Sequence, residues 1–241
     1  GLGFAVVQRL LHSGAGVTLW DHDPSGLDKA VSTLRQQWPQ ASIHAMQVDL
    51  TQHAHVIETV KKTLALADVD ALVNSAGILQ HRLPPDALSM DEWDQVLKVD
   101  FRGTYLCCAV FGSAMVQRGH GSIVNIASIA GMRSNPLHAY APAKAAVISM
   151  TAGLAAEWGH PSDNLGGILA VADHRTASVI VSASRDLMKQ IEQMITQLSA
   201  RSRMTSSSYS FHPRIDSSSS TSVVGLAWRP APAMRRRSSA S

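Results

Sequence analysis

Apolar positions in the first two-thirds of the chain follow two spacings. Apolar residues three and four apart mark amphipathic helices over residues 2–12, 23–38, 51–67, 90–118 and 140–158. Between them lie short, mostly apolar runs at 17–20, 43–48, 71–73 and 122–126, as expected of strands buried on both faces. The punctuation agrees with this division. Ser13-Gly14-Ala15-Gly16 breaks the first helix, Asp23-Pro24-Ser25 opens the second, and Pro39 stops it. Pro142 falls in the first turn of the last helix, where a missing N–H is tolerated.

Strands alternating with helices of this length predict a single α/β domain, a doubly wound parallel sheet with helices on both faces. Ligands of such sheets gather at the carboxyl ends of the strands. Asp21, Asp49, Asn74 and Ser128 all fall at or just beyond those ends, so the candidate chemistry converges on one edge. The pattern covers residues 1–164. In 165–199 the text diverges, with a strand expected over 177–181 and a helix over 186–198. From 200 to 241 roughly a third of the residues are serine, including the run 217–220, and this segment is expected to be mostly disordered.

Composition narrows the picture. The chain has 241 residues, of which 45% are hydrophobic and 16% charged, in keeping with a globular domain with a substantial core. The net charge is +3, part of it from the arginines at 235–237, which gives little basis for a nucleic-acid partner. Cys107 and Cys108 are adjacent and make a poor disulfide framework; they read as small buried side chains in a reducing compartment. No apolar run is long enough to span a bilayer and no signal-peptide pattern opens the chain. The expectation is a cytoplasmic protein with no membrane partner and no metal site.

The chemistry lies in SIAGMRSNPLHAYAPAK, residues 128–144. Tyr140 and Lys144 stand one helical turn apart, so both can project from one face of a helix. An ammonium beside a phenol favours the phenolate, which makes a proton-transfer group. Upstream, Gly1-Leu2-Gly3 runs directly into a helix, where glycines let a backbone approach a pyrophosphate at free N–H groups. Asp21 ends the strand that follows; a carboxylate there accepts hydrogen bonds from ribose hydroxyls and repels a 2′-phosphate. Asp23 is better placed than Asp21 for the helix cap. Asp49-Leu50 and Asn74-Ser75-Ala76-Gly77 follow further strands; the small residues allow close ligand approach, while Asp49 also suits a cap.

In this order these motifs resemble the short-chain dehydrogenase/reductase family over residues 1–164, most closely in IVNIASIAGMRSNPLHAYAPAKAAV. The resemblance implies a Rossmann-like fold and an NAD-dependent oxidoreductase that interconverts a secondary alcohol and a ketone. Sugars, polyols and 3-oxoacyl thioesters are all admissible substrates. It implies Tyr140 as general acid/base, Lys144 as its activator and ligand of the nicotinamide ribose, and Ser128 as the group that holds the reacting oxygen. Gly1, Leu2, Gly3, Asp21, Asp49, Leu50, Asn74, Ala76 and Gly77 would bind the cofactor, with Asp21 favouring NAD over NADP. A homodimer or homotetramer would form through the helices at 90–118 and 140–158.

The sequence also departs from the family. The strand and the Thr-Gly-x-x-x-Gly-x-Gly loop that open the family are represented only by the last Gly-x-Gly, so a fragment with its first strand missing from mid-sheet is expected. Asp100 in Val99-Asp100-Phe101-Arg102-Gly103 replaces an asparagine that helps to place the lysine, adding a negative charge near Lys144. Past residue 164 the family's substrate lid and last strand are not recognisable. These departures leave a second expectation open, a catalytically impaired relative that retains an oligomerising surface.

Overall fold

The computed structural model describes residues 1–133, 135–158, 169–172, 178–182 and 224–228. Helix α1 (Leu2–His12) leads into β1 (Gly16–Asp21), α2 (Pro24–Gln37), β2 (Ile43–Gln47), α3 (His53–Leu66) and β3 (Ala71–Asn74). After a loop come α4 (Met90–Val96), a π-helical stretch (Leu97–Gly103), α5 (Thr104–Arg118) and β4 (Ser122–Ile126). A 3₁₀ turn (Ile129–Gly131) precedes α6 (Tyr140–Trp158), and β5 (Leu169–Ala172), β6 (Ser178–Ser182) and β7 (Val224–Trp228) complete the sheet. The expected helix at 186–198 lies outside the described residues.

Both faces of the sheet are covered, and β1 shows how. Its side chains alternate: Val17 and Leu19 pack with Val7 and Leu11 of α1 and with Leu27, Val31 and Leu34 of α2. Trp20 points the other way, into a core with Val56 and Val60 of α3 and Phe111 of α5. All six residues of β1 are buried, which is why this strand reads as an apolar run rather than an alternation.

The strand order is β2-β1-β7-β3-β4-β6-β5. The β1–β2 and β3–β4 pairs are parallel, as expected, but β5, β6 and β7 join antiparallel, so the sheet is mixed. The mid-sheet gap expected from the absent first strand is filled: β7 lies between β1 and β3, with Leu226 opposite Thr18 on one side and Leu72 on the other. Val224–Trp228 belongs to the serine-rich segment expected to be disordered, and this part of that expectation is corrected. An open slot would leave the facing N–H and C=O groups of two buried strands unpaired. An antiparallel strand satisfies them as well as a parallel one.

The second correction concerns residues 90–118, expected as one continuous helix. Seven residues from Leu97 to Gly103 take the wider π form, a geometry that recurs at functional sites. The wide turn carries Asp100, which is fully buried.

Candidate active site

The two motif aspartates at the ends of β1 and β2 divide their work differently. Asp23 takes the N-cap of α2, accepting from Ser25 N–H at 3.0 Å, which releases Asp21 from that duty. Asp21 is 8% exposed, and its Oδ1 accepts from Asp23 N–H at 3.0 Å and lies 3.2 Å from His22 Nδ1. Burial holds the Asp21 carboxyl above the ordinary carboxylate range, and the Asp23 N–H and His22 partly offset this. Asp49 is more committed locally: its Oδ1 accepts from both Thr51 N–H (2.9 Å) and Thr51 Oγ1 (2.7 Å), so α3 starts at His53 rather than at Thr51.

A cleft of about 320 Å³ opens at this edge of the sheet. It is lined by Trp20, Asp21, Val48, Asp49 and Leu50 from β1 and the segment after β2, and by Ala76, Ile78 and Val99. Four of the expected cofactor residues, Asp21, Asp49, Leu50 and Ala76, therefore share one cavity. Gly1, Leu2 and Gly3 do not line it; Gly1 caps α1, and Leu2 and Gly3 begin that helix. The residues present suit the adenosine end of a nicotinamide dinucleotide. The cleft joins apolar side chains that can sandwich a flat base to a buried carboxylate that can accept from ribose hydroxyls.

The cleft adjoins the second part of the site through neighbours in the chain. Ala76 and Ile78 flank Gly77, and Val99 precedes Asp100. Asp100 Oδ1 accepts from Ile78 N–H at 2.8 Å, and Asp100 Oδ2 lies 3.1 Å from Lys144 Nζ. Both side chains are buried, at 0% and 5% exposure. Lys144 Nζ also donates to Ile126 O at 3.3 Å and lies 5.5 Å from the centroid of the Tyr140 ring. Burial pushes the Asp100 carboxyl above its ordinary range; the Lys144 ammonium and the Ile78 N–H pull it back only in part. A Cβ at Gly77 would stand 3.0 Å from Asp100 Oδ2 and 3.1 Å from Lys144 Nζ, so a side chain there would crowd the pair.

Ser128 is buried at the start of the 3₁₀ turn, and its hydroxyl accepts from Ala130 N–H at 3.2 Å. That turn docks on α6: a Cβ at Gly131 would come within 2.6 Å of Ala145 N and 2.8 Å of the Lys144 carbonyl carbon. Asn74 serves a buried bridge. Its Nδ2 donates to Asn125 Oδ1 at 2.8 Å and to Cys108 Sγ at 3.3 Å, while Asn125 Nδ2 donates to Thr151 Oγ1 at 2.9 Å. The bridge ties β3, β4, α5 and α6 together behind the site. Sequence reasoning overlooked Cys108 and Asn125 as members of this bridge, and it overlooked Gln80, whose side chain accepts from Tyr140 N–H at 3.0 Å. The one hint of Gln80 in the sequence is negative: Leu137-His138-Ala139 offers α6 no Ser, Thr, Asp or Asn cap at its start.

The short chain dehydrogenase family profile matches residues 1–162. The chain belongs to that family. Among its relatives, 2-dehydro-3-deoxy-L-rhamnonate dehydrogenase (NAD(+)) of Sphingomonas sp. (strain SKA58) is 31% identical over 79% of this chain and 72% of its own. Galactitol 2-dehydrogenase (L-tagatose-forming) of Cereibacter sphaeroides is 35% identical over 66% of this chain and 61% of its own. A solved structure from Brucella melitensis 16M, described as ribose-5-phosphate isomerase, superposes with a TM-score of 0.58 at 46% identity, over 65% of this chain and 59% of that one. The chain thus spans about three-fifths of the length of the latter two. Among the described residues no helix is long and apolar enough to cross a membrane.

Proposed function

We propose that the protein is an NAD-dependent oxidoreductase that interconverts a secondary alcohol, of the polyol or sugar class, and the corresponding ketone. The observation that carries this reading is the buried Lys144, held one helical turn from Tyr140 and against its ring, beside a cleft that ends in the buried Asp21. When bound, the dinucleotide would take the hydride from the carbinol carbon. Tyr140 takes the hydroxyl proton of the alcohol in that direction and returns it in the other. Ser128 holds the reacting oxygen, and Lys144, 5.5 Å from the centroid of the Tyr140 ring, reaches the nicotinamide ribose. Asp100 holds Lys144 in place. Asp21, Asp49, Leu50, Ala76 and Gly77 bind the adenosine side and middle of the cofactor; Asn74 braces them; Gly1, Leu2 and Gly3 face its pyrophosphate.

Asp21 supports NAD over NADP, since a desolvated carboxylate repels a 2′-phosphate; the NAD named for the Sphingomonas relative points the same way. The polyol and sugar-acid substrates named for the two dehydrogenase relatives support the substrate class. Self-association through α5 and α6 is part of the proposal, supported by Tyr105 and Val116 standing 46% and 50% exposed on α5. Two buried free cysteines suit a reducing compartment, and the cytoplasm is the proposed location.

The test is calorimetric titration with NADH and with NADPH, followed by a polyol panel (galactitol, D-threitol, glycerol) with Tyr140→Phe as the control. Binding of NADH in preference to NADPH, and turnover abolished by Tyr140→Phe, is the expected result. One observation favours the alternative, an impaired relative that only associates: the Lys144 ammonium is already engaged by Asp100 at 3.1 Å. A folded chain that binds neither nucleotide would decide for it.

A further inference from the structure

Helix α6 presents Tyr140 as its first residue, so the placement of the phenol depends on how that first turn is held. The backbone donors there can be counted. Ala141 N–H donates to Leu137 O at 2.9 Å and Ala143 N–H to Ala139 O at 3.1 Å, while Pro142 has no N–H. The amides of Ala139 and Tyr140 remain, and both donate to a single atom, Gln80 Oε1. Gln80 is 2% exposed and lies about 60 residues earlier in the chain, on the loop that follows β3. It does from a distance what a capping side chain does locally.

The same loop is fastened to the rest of the site. Ile78 N–H donates to Asp100 Oδ1 at 2.8 Å, and Ala76 and Ile78 form part of the cleft wall. His81 N–H donates to Glu92 Oε1 at 2.6 Å at the far end. One short segment therefore contacts the cleft, the carboxylate that pairs with Lys144, and the turn that carries Tyr140.

We propose that Gln80 is a positioning residue for Tyr140: its amide oxygen fixes the first turn of α6 and couples that turn to the cleft wall. The inference rests on the reading of Tyr140 as the proton-transfer group and adds the residue that aims it. Gln80→Leu keeps the side-chain volume and removes the acceptor; Gln80→Glu keeps an acceptor at the same reach, beside amides that favour negative charge.

Two measurements on the full chain separate the possibilities. The first is hydrogen exchange at the Ala139 and Tyr140 amides, which needs no activity. Exchange in Gln80→Leu should be at least ~10-fold faster than in the wild type, with α3 amides unchanged and protection retained in Gln80→Glu. The second is NADH titration together with oxidation of galactitol, or of the panel polyol turned over fastest. Gln80→Leu should lower kcat by about 10- to 100-fold while NADH affinity and KM stay within about 2-fold, and Gln80→Glu should restore kcat. Should Gln80→Leu fail to fold, Gln80→Asn, which withdraws the acceptor by one methylene, carries the same comparison. Wild-type protection at both amides in the acceptor-deficient variant overturns the proposal, as does a kcat that Gln80→Glu leaves low. A wild type that holds the amides but turns over neither the panel polyols nor a sugar refutes the proposed substrate class and leaves the brace standing.

Discussion

Removing Lys144 from its pair with Asp100 tests the energetics of the site without reference to turnover. In Lys144→Met the length of the side chain is kept and the charge is lost. Asp100, fully buried, is then left with the Ile78 N–H at 2.8 Å as its bonded partner on Oδ1 and no ammonium at 3.1 Å from Oδ2. Breaking a buried pair by deleting one partner costs about 3–5 kcal/mol, because an uncompensated charge stays behind. Asp100→Asn should cost less, about 1–2 kcal/mol, since it keeps an acceptor for Ile78 and Lys144 retains the Ile126 carbonyl at 3.3 Å. The double variant should show a coupling of about 1–3 kcal/mol between the two sites. The assay is urea unfolding followed by tryptophan fluorescence, Trp20 being fully buried and in contact with Phe111.

The pH dependence carries a sign. Burial already holds the Asp100 carboxyl above its ordinary value, so the folded chain binds that proton more tightly than the unfolded chain. The stability this group contributes is complete below the ordinary carboxylate range and is lost as pH rises through the raised value. Removing Lys144 removes an influence that lowers that value, and the loss then extends further upward. The penalty of Lys144→Met should therefore be largest near neutral pH and shrink as the solution is acidified towards the ordinary carboxylate range. A penalty below about 1 kcal/mol with no pH trend, or single effects that add within about 0.5 kcal/mol, would refute the reasoning.

Three further outcomes are expected. Asp21→Ser, which removes the carboxylate from the cleft, should shift relative affinity towards NADPH by at least ~10-fold in the same titration, an effect of roughly 1.4 kcal/mol. Leu226→Pro deletes a backbone donor from the strand between β1 and β3 and should destabilise the chain by about 1–3 kcal/mol in urea; no change would mean that β7 does not hold the slot. Cys107 and Cys108 are buried, and burial pushes the Cys108 thiol up to about 12 and that of Cys107 higher still. Neither should react with a thiol reagent at pH 8 until the chain is unfolded, which a colorimetric titration with and without urea will read.

Local pattern determined most of the elements. The helix over 2–12 and the strand at 122–126 were readable to the residue because apolar spacing, glycine breaks and proline stops act over a few residues. The same reasoning assigned the cap to Asp23 and left Asp21 for the cleft, since an aspartate before Pro24 suits the helix start. The pairing of Tyr140 with Lys144 was legible as well, one helical turn being a local distance.

What only the tertiary structure decided depends on contacts between distant parts of the chain. Val-Gly-Leu-Ala-Trp among serines, prolines and arginines carries no signal of a central strand; it becomes one because β1 and β3 expose backbone groups that must be paired. The π-helical stretch arises where Asp100 turns inward to meet Lys144 and the Ile78 N–H, partners more than 20 residues away on either side. Gln80 caps a helix about 60 residues downstream, which no short-range pattern encodes. Hydrogen bonds of this kind leave no periodicity in the sequence, because the fold alone brings donor and acceptor together.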